Sequence, residues 1–291
     1  MPGFSNRITA DVSHRATAGL TAVGALGSQL VVRTATPGER RVVASLFRNM
    51  REPLRPHALA SLAFRRVKNA WIVSGGPGIE DVHGSLSEAR SELRERITRL
   101  LMNARPDLLW LHAAGVAQDG HAVLITGPSG SGKSMLAAQL IARGFDYLGD
   151  DVLPLDPCTR MVHPFPITPA VRSGPSHYML TAEARRLPKR DVVVRQAQVA
   201  TRPIRVAAIV FPRFAPGPTH ARPVSPGQVA LELLRQCRNF ECHRESAVRA
   251  MSALAETVPA SALSFVDPVR GAEAVARAHG SGRKDAVDED G

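Results

Sequence analysis

The sequence predicts an α/β protein in which a smaller α+β region, residues 1–105, precedes a larger phosphate-loop domain over residues 106–280, with a disordered tail over 281–291. Three observations carry that reading. The apolar run "AVLIT" leads straight into the glycine loop "GPSGSGKS" and then into a helical segment, the strand–loop–helix order in which such loops hold phosphate. One short helix later the run "FDYLGDD" reads as a strand returning parallel to the first, which brings its final residues to the same sheet edge as the loop. Strand and helix signals recur on both sides of this unit.

Composition narrows the class. At 291 residues the chain can bury a sizeable core without covalent staples. Its three cysteines, Cys158, Cys237 and Cys242, show no Cys-x-x-Cys spacing, so a reduced, cytoplasmic setting fits best. Cys237, Cys242 and His243 lack a second ligand pair nearby, and no zinc site is expected. No apolar run has the length of a membrane helix, and the first thirty residues lack the features of an export signal. The net charge of +11 raises nucleic acid as a partner. Aromatics make up only 4% of the chain and no helix-turn-helix pattern accompanies the charge, so neither nucleic acid nor membrane is expected.

Residues 1–38 are rich in Gly, Ala, Ser and Thr and read as a loose start with one strand at Gln29–Arg33. Residues 62–74 read as a strand pair. Ser85 with Glu88 forms a capping box, and Leu86, Ala89, Leu93, Ile97, Leu100, Leu101 and Ala104 recur at helical spacing until Pro106. In "DLLWLHAAGVAQDGHAVLITG" two apolar runs flank Asp119-Gly120, a dipeptide suited to a two-residue hairpin turn. That register sets Gln118 against His121 and extrapolates to His112 opposite Gly127. Beyond the loop, the reading is a helix over Met135–Ile141 closed by Gly144, a buried strand at 206–211, and a helix from Ser225 with Pro226 at its first position and Gln228 completing a second capping box. A helix near 245–257, a strand at 263–266 and a helix at 271–278 complete the chain.

Gly127, Pro128, Ser129, Gly130, Ser131, Gly132, Lys133 and Ser134 match the full Gly-x-x-x-x-Gly-Lys-Ser pattern. Glycines let successive backbone N–H groups turn inward around phosphates, and the following helix N-terminus adds partial positive charge. Lys133 is placed to reach the outer phosphates of ATP, and the Ser134 hydroxyl to ligate Mg²⁺. Asp150 and Asp151 end the return strand, where one carboxylate can hold Mg²⁺ and the other accept a proton. His112, beside the loop in the hairpin register, can assist proton transfer or hold an aspartate.

Histidine, phosphate loop and paired aspartates in this order resemble the catalytic domain of HPr kinase/phosphorylase, whose core is also similar to that of phosphoenolpyruvate carboxykinase. The likeness is close over residues 108–156, with His112 preceding Gly127, and Asp150-Asp151 following Lys133, at the family's intervals. It implies an HPr-kinase-like α/β fold, with one aspartate as base toward a serine hydroxyl and the other helping to bind Mg²⁺. Met135 stands where the family usually has glutamate, and nothing after Asp151 resembles its glycine-rich phosphorylase signature. Neither phosphorylase activity nor HPr as substrate is therefore carried over. "AAIVFPRFAPG", "LLRQCRNF" and "LSFVDPVRGAEAVARAH" look like HPr-kinase-related proteins found beside biosynthetic clusters, some of which resemble kinases acting on a serine of a ribosomally made peptide precursor.

Residues 158–205 hold nine Arg and Lys against two acids, Glu183 and Asp191, a field that favours an acidic peptide or the nucleotide's phosphates. Arg172 and Arg213 are the arginines to test as stabilisers of the transferred group. The expected activity is that of an ATP-dependent serine kinase acting on a peptide or small protein, and a homo-oligomer is compatible with the chain. The alternatives are an ATP-binding switch or assembly protein, which needs only the metal carboxylate, and a small-molecule kinase.

Overall fold

The computed structural model describes residues 19–76, 80–172 and 189–281. The chain is a mixed α/β protein with several sheets, and it divides into two compact units, Met1–Pro106 and Asp107–Gly291. Among the described residues no helix is long and apolar enough to cross a membrane. The expected tail beyond Ser281 and the part of the basic field containing Glu183, Arg185 and Arg186 lie outside the described residues.

The first unit is a five-stranded sheet in simple sequential order. Its elements are β1 (Leu20–Ala25), β2 (Ser28–Arg33), α1 (Pro37–Leu46), β3 (Ser61–Val67), β4 (Ala70–Ser74), β5 (Val82–Gly84) and α2 (Leu86–Ala104). Residues 1–18 of the expected loose start lie outside the described residues; over Leu20–Arg33 a β1–β2 hairpin takes the place of the one strand expected at Gln29–Arg33, and it is buried along almost its whole length. Helix α2 has the expected bounds and its Ser85–Glu88 capping box.

Helix α1 is an addition to the expected elements, although Thr36, Pro37 and Glu39 are a local start signal. Glu39 is 1% exposed and accepts from the N–H groups of Ala35 (2.6 Å), Thr36 (3.0 Å) and Arg66 (2.8 Å). One carboxylate therefore closes α1 and ties it to β3. Burial works to raise its pKa, but these N–H groups and the charge of Arg65 outweigh it and hold the carboxyl below its ordinary 4.5. A lowered carboxyl contributes stability that is full above the unfolded value and is lost as pH falls through the folded one. Glu39→Gln should therefore cost about 1–3 kcal/mol at neutral pH, where buried N–H groups lose a charged acceptor. It should also flatten the acid limb below pH 4.5. Urea unfolding of both proteins across that range checks this, and parallel acid limbs would contradict it.

The second unit centres on a nine-stranded mixed sheet. In chain order it contains β6 (Leu109–Leu111), β7 (Ala113–Gln118), β8 (His121–Thr126), α3 (Lys133–Ala142), β9 (Asp146–Gly149), β10 (Leu153–Leu155) and β11 (Met161–Val162). A small two-stranded sheet follows, β12 (Ala170–Arg172) with β13 (Lys189–Asp191). The rest is β14 (Ile204–Phe214), β15 (His220–Pro223), α4 (Pro226–Arg235), α5 (Phe240–Thr257), β16 (Ala260–Phe265) and α6 (Pro268–Ser281). The order β6-β10-β11-β14-β8-β7-β9 has β16 alongside β14 and β15 alongside β16.

The β7–β8 hairpin has the expected register, from Gln118 against His121 to Ala113 against Thr126, with Asp119 (φ 52°) and Gly120 (φ 81°) at the turn. Strand β7 is antiparallel to both β8 and β9, while β14 is parallel to β8 and to β16. β8, β9, β14 and β16 therefore end at one edge, where the loops that follow them converge. Alternation fills both faces: Leu124 and Ile209 pack with Val229, Leu233 and Met251 of α4 and α5, whereas Val123 and Ile125 pack with Leu136, Leu140 and Val275 of α3 and α6.

Three expectations are corrected. Ser225 is the N-cap of α4 but its side chain makes no capping hydrogen bond, so the second capping box is absent. Pro226 removes one of the N–H groups that need a cap, and Gln228 instead lines a groove beside the phosphate loop. Helix α5 begins at Phe240 rather than near 245, because a short polar first segment joins the apolar remainder end to end across a break in the helical backbone at Arg244. Helix α6 begins at Pro268 and runs to Ser281, longer than expected, with Asp267 at its start accepting from Val269 N–H through its carboxylate (2.9 Å).

Candidate functional site

The site is assembled by the turns after β8 and β9, the start of β7 and the α4–α5 connection. The phosphate loop winds through left-handed backbone at Gly127 (φ 143°), Gly130 (φ 86°) and Gly132 (φ 103°). Gly132 also has no room for a side chain, since a Cβ there would lie 2.8 Å from the Phe214 ring and 3.1 Å from that of Phe265. Glycine is required at that position by conformation and by space.

Lys133 opens α3 and folds back over the loop, its Nζ donating to the carbonyls of Gly127 (2.7 Å) and Pro128 (3.1 Å). It is 6% exposed. Burial is the main reason its pKa lies below the ordinary lysine value; Asp150 and Asp151 pull it back up, and Arg238 and Lys189 push it down again. Ser131 Oγ is buried against the loop with no hydrogen-bond partner among the described residues, an orphan that an oxyanion in the loop would satisfy.

The two aspartates occupy different surroundings. Asp150 is 3% exposed, and its Oδ1 accepts from Ser134 Oγ at 2.9 Å. Asp151 adopts a left-handed backbone (φ 75°), and its side chain is 55% exposed. Its Oδ1 lies 3.2 Å from His112 Nδ1 and 3.4 Å from Arg238 Nη2. The backbone turn at Asp151 is what sends adjacent carboxylates to separate partners.

His112 Nδ1 also lies 2.9 Å from the Asp151 carbonyl oxygen. Facing two acceptors, Nδ1 carries the proton in the tautomer that makes these bonds, which leaves Nε2 as an acceptor. The extrapolated pairing of His112 with Gly127 does not form. The hairpin ladder stops at Ala113–Thr126, and His112 N–H donates instead to Gln236 O at 2.7 Å.

Arg238 lies in the stretch "LLRQCRNF", yet nothing in the sequence assigns it a role at the site, because it meets Asp151 from 87 residues away. Its placement comes from a backbone zipper. Arg238 N–H donates to Trp110 O (2.7 Å), and Leu111 bridges Cys237. The Asn239 carboxamide accepts from Trp110 N–H (2.9 Å) and donates to Leu108 O (2.8 Å). The α4–α5 connection is thereby sewn onto β6, and Arg238 is held beside the end of β9. Burial raises the pKa of the neighbouring Cys237 thiol, which keeps it protonated.

Of the two arginines expected as stabilisers, Arg213 is exposed at the end of β14, in a groove shared with Gly127–Ser131. Arg172 lies on the β12–β13 sheet, and its buried Nε has no hydrogen-bond partner among the described residues. Among the described residues no cluster of three or more His, Cys, Asp or Glu could hold a metal. A hydroxyl and carboxylate pair such as Ser134 and Asp150 is nonetheless the donor set that suits a phosphate-bound Mg²⁺, which keeps most of its other ligands as water and phosphate oxygen.

No protein-family model matches the chain, and no curated protein matches it. Among solved structures it is similar to the HPr(Ser) kinase/phosphatase from Coxiella burnetii, at 16% identity and a TM-score of 0.30, covering 60% of this chain and 98% of that one. A likeness at that level defines neither family nor chemistry.

Proposed function

We propose that the protein is a kinase that transfers the terminal phosphate of ATP to a serine hydroxyl of a peptide or small protein in a Mg²⁺-dependent reaction. The observation that carries this is the division of labour at one sheet edge: Ser134 joined to Asp150 at 2.9 Å, and Asp151 set between His112 and Arg238. A nucleotide switch needs the first pair only. A second, more exposed carboxylate with an imidazole and a guanidinium beside it is what proton removal and phosphoryl transfer require. The serine acceptor follows from the resemblance of residues 108–156 to HPr kinase/phosphorylase.

In this reading Gly127–Ser134 hold the phosphates, Lys133 Nζ turning to their oxygens from the Gly127 carbonyl to which it donates, and Ser131 Oγ donating to them. Ser134 and Asp150 would hold Mg²⁺, which would supply charge neutralisation at the phosphate oxygens. Asp151 takes the proton of the acceptor hydroxyl as its oxygen bonds to the terminal phosphorus. The bond from that phosphorus to the bridging oxygen breaks, leaving ADP and a phosphoserine. His112, donating from Nδ1, holds the Asp151 carboxylate toward the acceptor. Arg238 supplies positive charge on the side where the transferred group passes.

The test is incubation with ATP, Mg²⁺ and serine peptides bearing acidic residues, followed by mass spectrometry of the products. A phosphoserine supports the proposal. Phosphorylated metabolites with unmodified peptide would contradict it.

The lowered pKa of Lys133 sets a pH dependence. The ammonium is the form that binds phosphate, so ATP affinity is full below the lowered value and falls as pH rises through it, earlier than the ordinary 10.5. Bound phosphates pull the pKa upward, so binding takes up protons in that window. Affinity measured from neutral pH to 10.5 checks this, and a flat profile up to 10.5 would contradict it.

A further inference from the structure

Asparagine is among the residues preferred at the position that caps a helix, where its side-chain oxygen accepts from an N–H of the first turn. Asn239 holds that position at the start of α5 and makes no such bond. Its carboxamide is turned to β6 instead: Oδ1 accepts from Trp110 N–H (2.9 Å), and Nδ2 donates to Leu108 O (2.8 Å). The Cys237 thiol donates to the same oxygen at 3.6 Å.

These bonds continue a ladder. Leu111 is bridged to Cys237 in antiparallel sense, His112 N–H donates to Gln236 O, and Arg238 N–H donates to Trp110 O. Alternate residues of a strand turn their peptide groups to the same side, so the next groups that β6 offers here are Trp110 N–H and Leu108 O. A further strand residue would meet them with its own C=O and N–H. The chain turns into α5 at Asn239, and the side-chain amide takes the place of that peptide group. Without it, the bond from Arg238 N–H would be the last of a ladder free to fray. The guanidinium that lies 3.4 Å from Asp151 Oδ1 would then sit on the frayed end.

Trp110 gives the ladder a fixed reference. It is fully buried, and its ring packs edge-on against Phe165 with centroids 5.2 Å apart. Phe165 N–H donates to Leu148 O (2.7 Å), and Phe165 bridges Gly149, the last residue of β9 before the aspartates. The strand end that carries Asp151 and the connection that carries Arg238 are therefore both tied to Trp110.

We infer that Asn239 is a positioning residue whose carboxamide serves as a peptide group of the β6 ladder and so holds Arg238 at Asp151. Its effect on phosphoryl transfer rests on the kinase reading above; its effect on the ladder does not.

The test has two arms, both on the full chain. The variants are Asn239→Ala and Asn239→Asp, the second keeping the shape but setting an acceptor against Leu108 O. In amide hydrogen exchange each should speed Arg238 N–H by roughly 10-fold, the loss of about one hydrogen bond of local stability, and leave Val116 and Val123 of the β7–β8 hairpin at wild-type rates. In transfer from ATP to a serine peptide each should lower kcat by roughly 10- to 10²-fold, the cost of a misplaced group, with the KM for ATP within about two-fold of wild type. In an Arg238→Ala background Asn239→Ala should change kcat by less than about two-fold, because a group that acts through Arg238 has nothing left to act on. Unchanged exchange at Arg238 would overturn the inference, as would faster exchange there with wild-type kcat. Equal kcat losses in both backgrounds, or faster exchange across the hairpin, would make Asn239 a fold-stabilising residue and overturn it as well. Wild-type protein that phosphorylates no serine peptide, while Asn239→Ala still frees the Arg238 amide, would overturn the kinase reading and support the ladder role.

Discussion

Asp151→Asn should lose phosphoryl transfer by about 10³-fold while binding Mg²⁺–ATP as wild type does, because general-base catalysis is worth on the order of 10²–10⁴-fold. The substitution keeps the shape of the side chain and its contacts with His112 and Arg238, which lie 3.2 and 3.4 Å from Oδ1. It removes the capacity to accept the hydroxyl proton. The loss should therefore fall on kcat, with little change in the KM for ATP. Asp151 is half-exposed, so folding should be unaffected. Single-turnover transfer measured beside equilibrium binding distinguishes this from a metal-ligand role, in which binding would weaken too.

Lys133→Ala should reduce transfer by at least about 10²-fold, since the lysine bears on the phosphates during reaction. Unlike an exposed surface lysine it is 6% exposed and spans the loop through the carbonyls of Gly127 and Pro128. Its removal should loosen the loop as well as strip its charge, so ATP affinity should drop together with kcat. Two main-chain acceptors lose their donor, but carbonyls in a loop can turn to water, and the fold should persist. Full transfer activity in the alanine variant would contradict the kinase reading.

Much of this site is legible in short-range chemistry. The Asp119-Gly120 turn sets the hairpin register because its two residues tolerate the left-handed backbone observed there, and the loop motif lies between a strand and a helix as its chemistry demands. The bounds of α2 follow from Ser85 and Glu88 bonding each other's backbone. The same pattern misleads at Ser225 and Gln228, where Pro226 leaves fewer N–H groups to cap and the glutamine faces a groove. Helix α1 escapes the pattern of the sequence although its capping box is real, since ten residues with four apolar side chains give little periodicity. Arg238 is beyond reach for a different reason. Its approach to Asp151 depends on a zipper between segments more than a hundred residues apart, from Leu108 to Asn239, and no local spacing encodes that. The separate surroundings of Asp150 and Asp151 depend on a positive φ at Asp151, whereas strand alternation alone says only that neighbours diverge.

The central claim is that adjacent carboxylates do different work, Asp150 with Ser134 on the metal and Asp151 on the acceptor proton. The most direct measurement is ATP affinity as a function of Mg²⁺ concentration for wild type, Asp150→Asn and Asp151→Asn. Asp150→Asn should need at least about ten-fold more Mg²⁺ for half-maximal ATP binding, the loss of a charged ligand. Asp151→Asn should follow the wild-type curve and still fail to transfer phosphate. Superimposable curves for Asp150→Asn and wild type, or a shift confined to Asp151→Asn, would contradict the account.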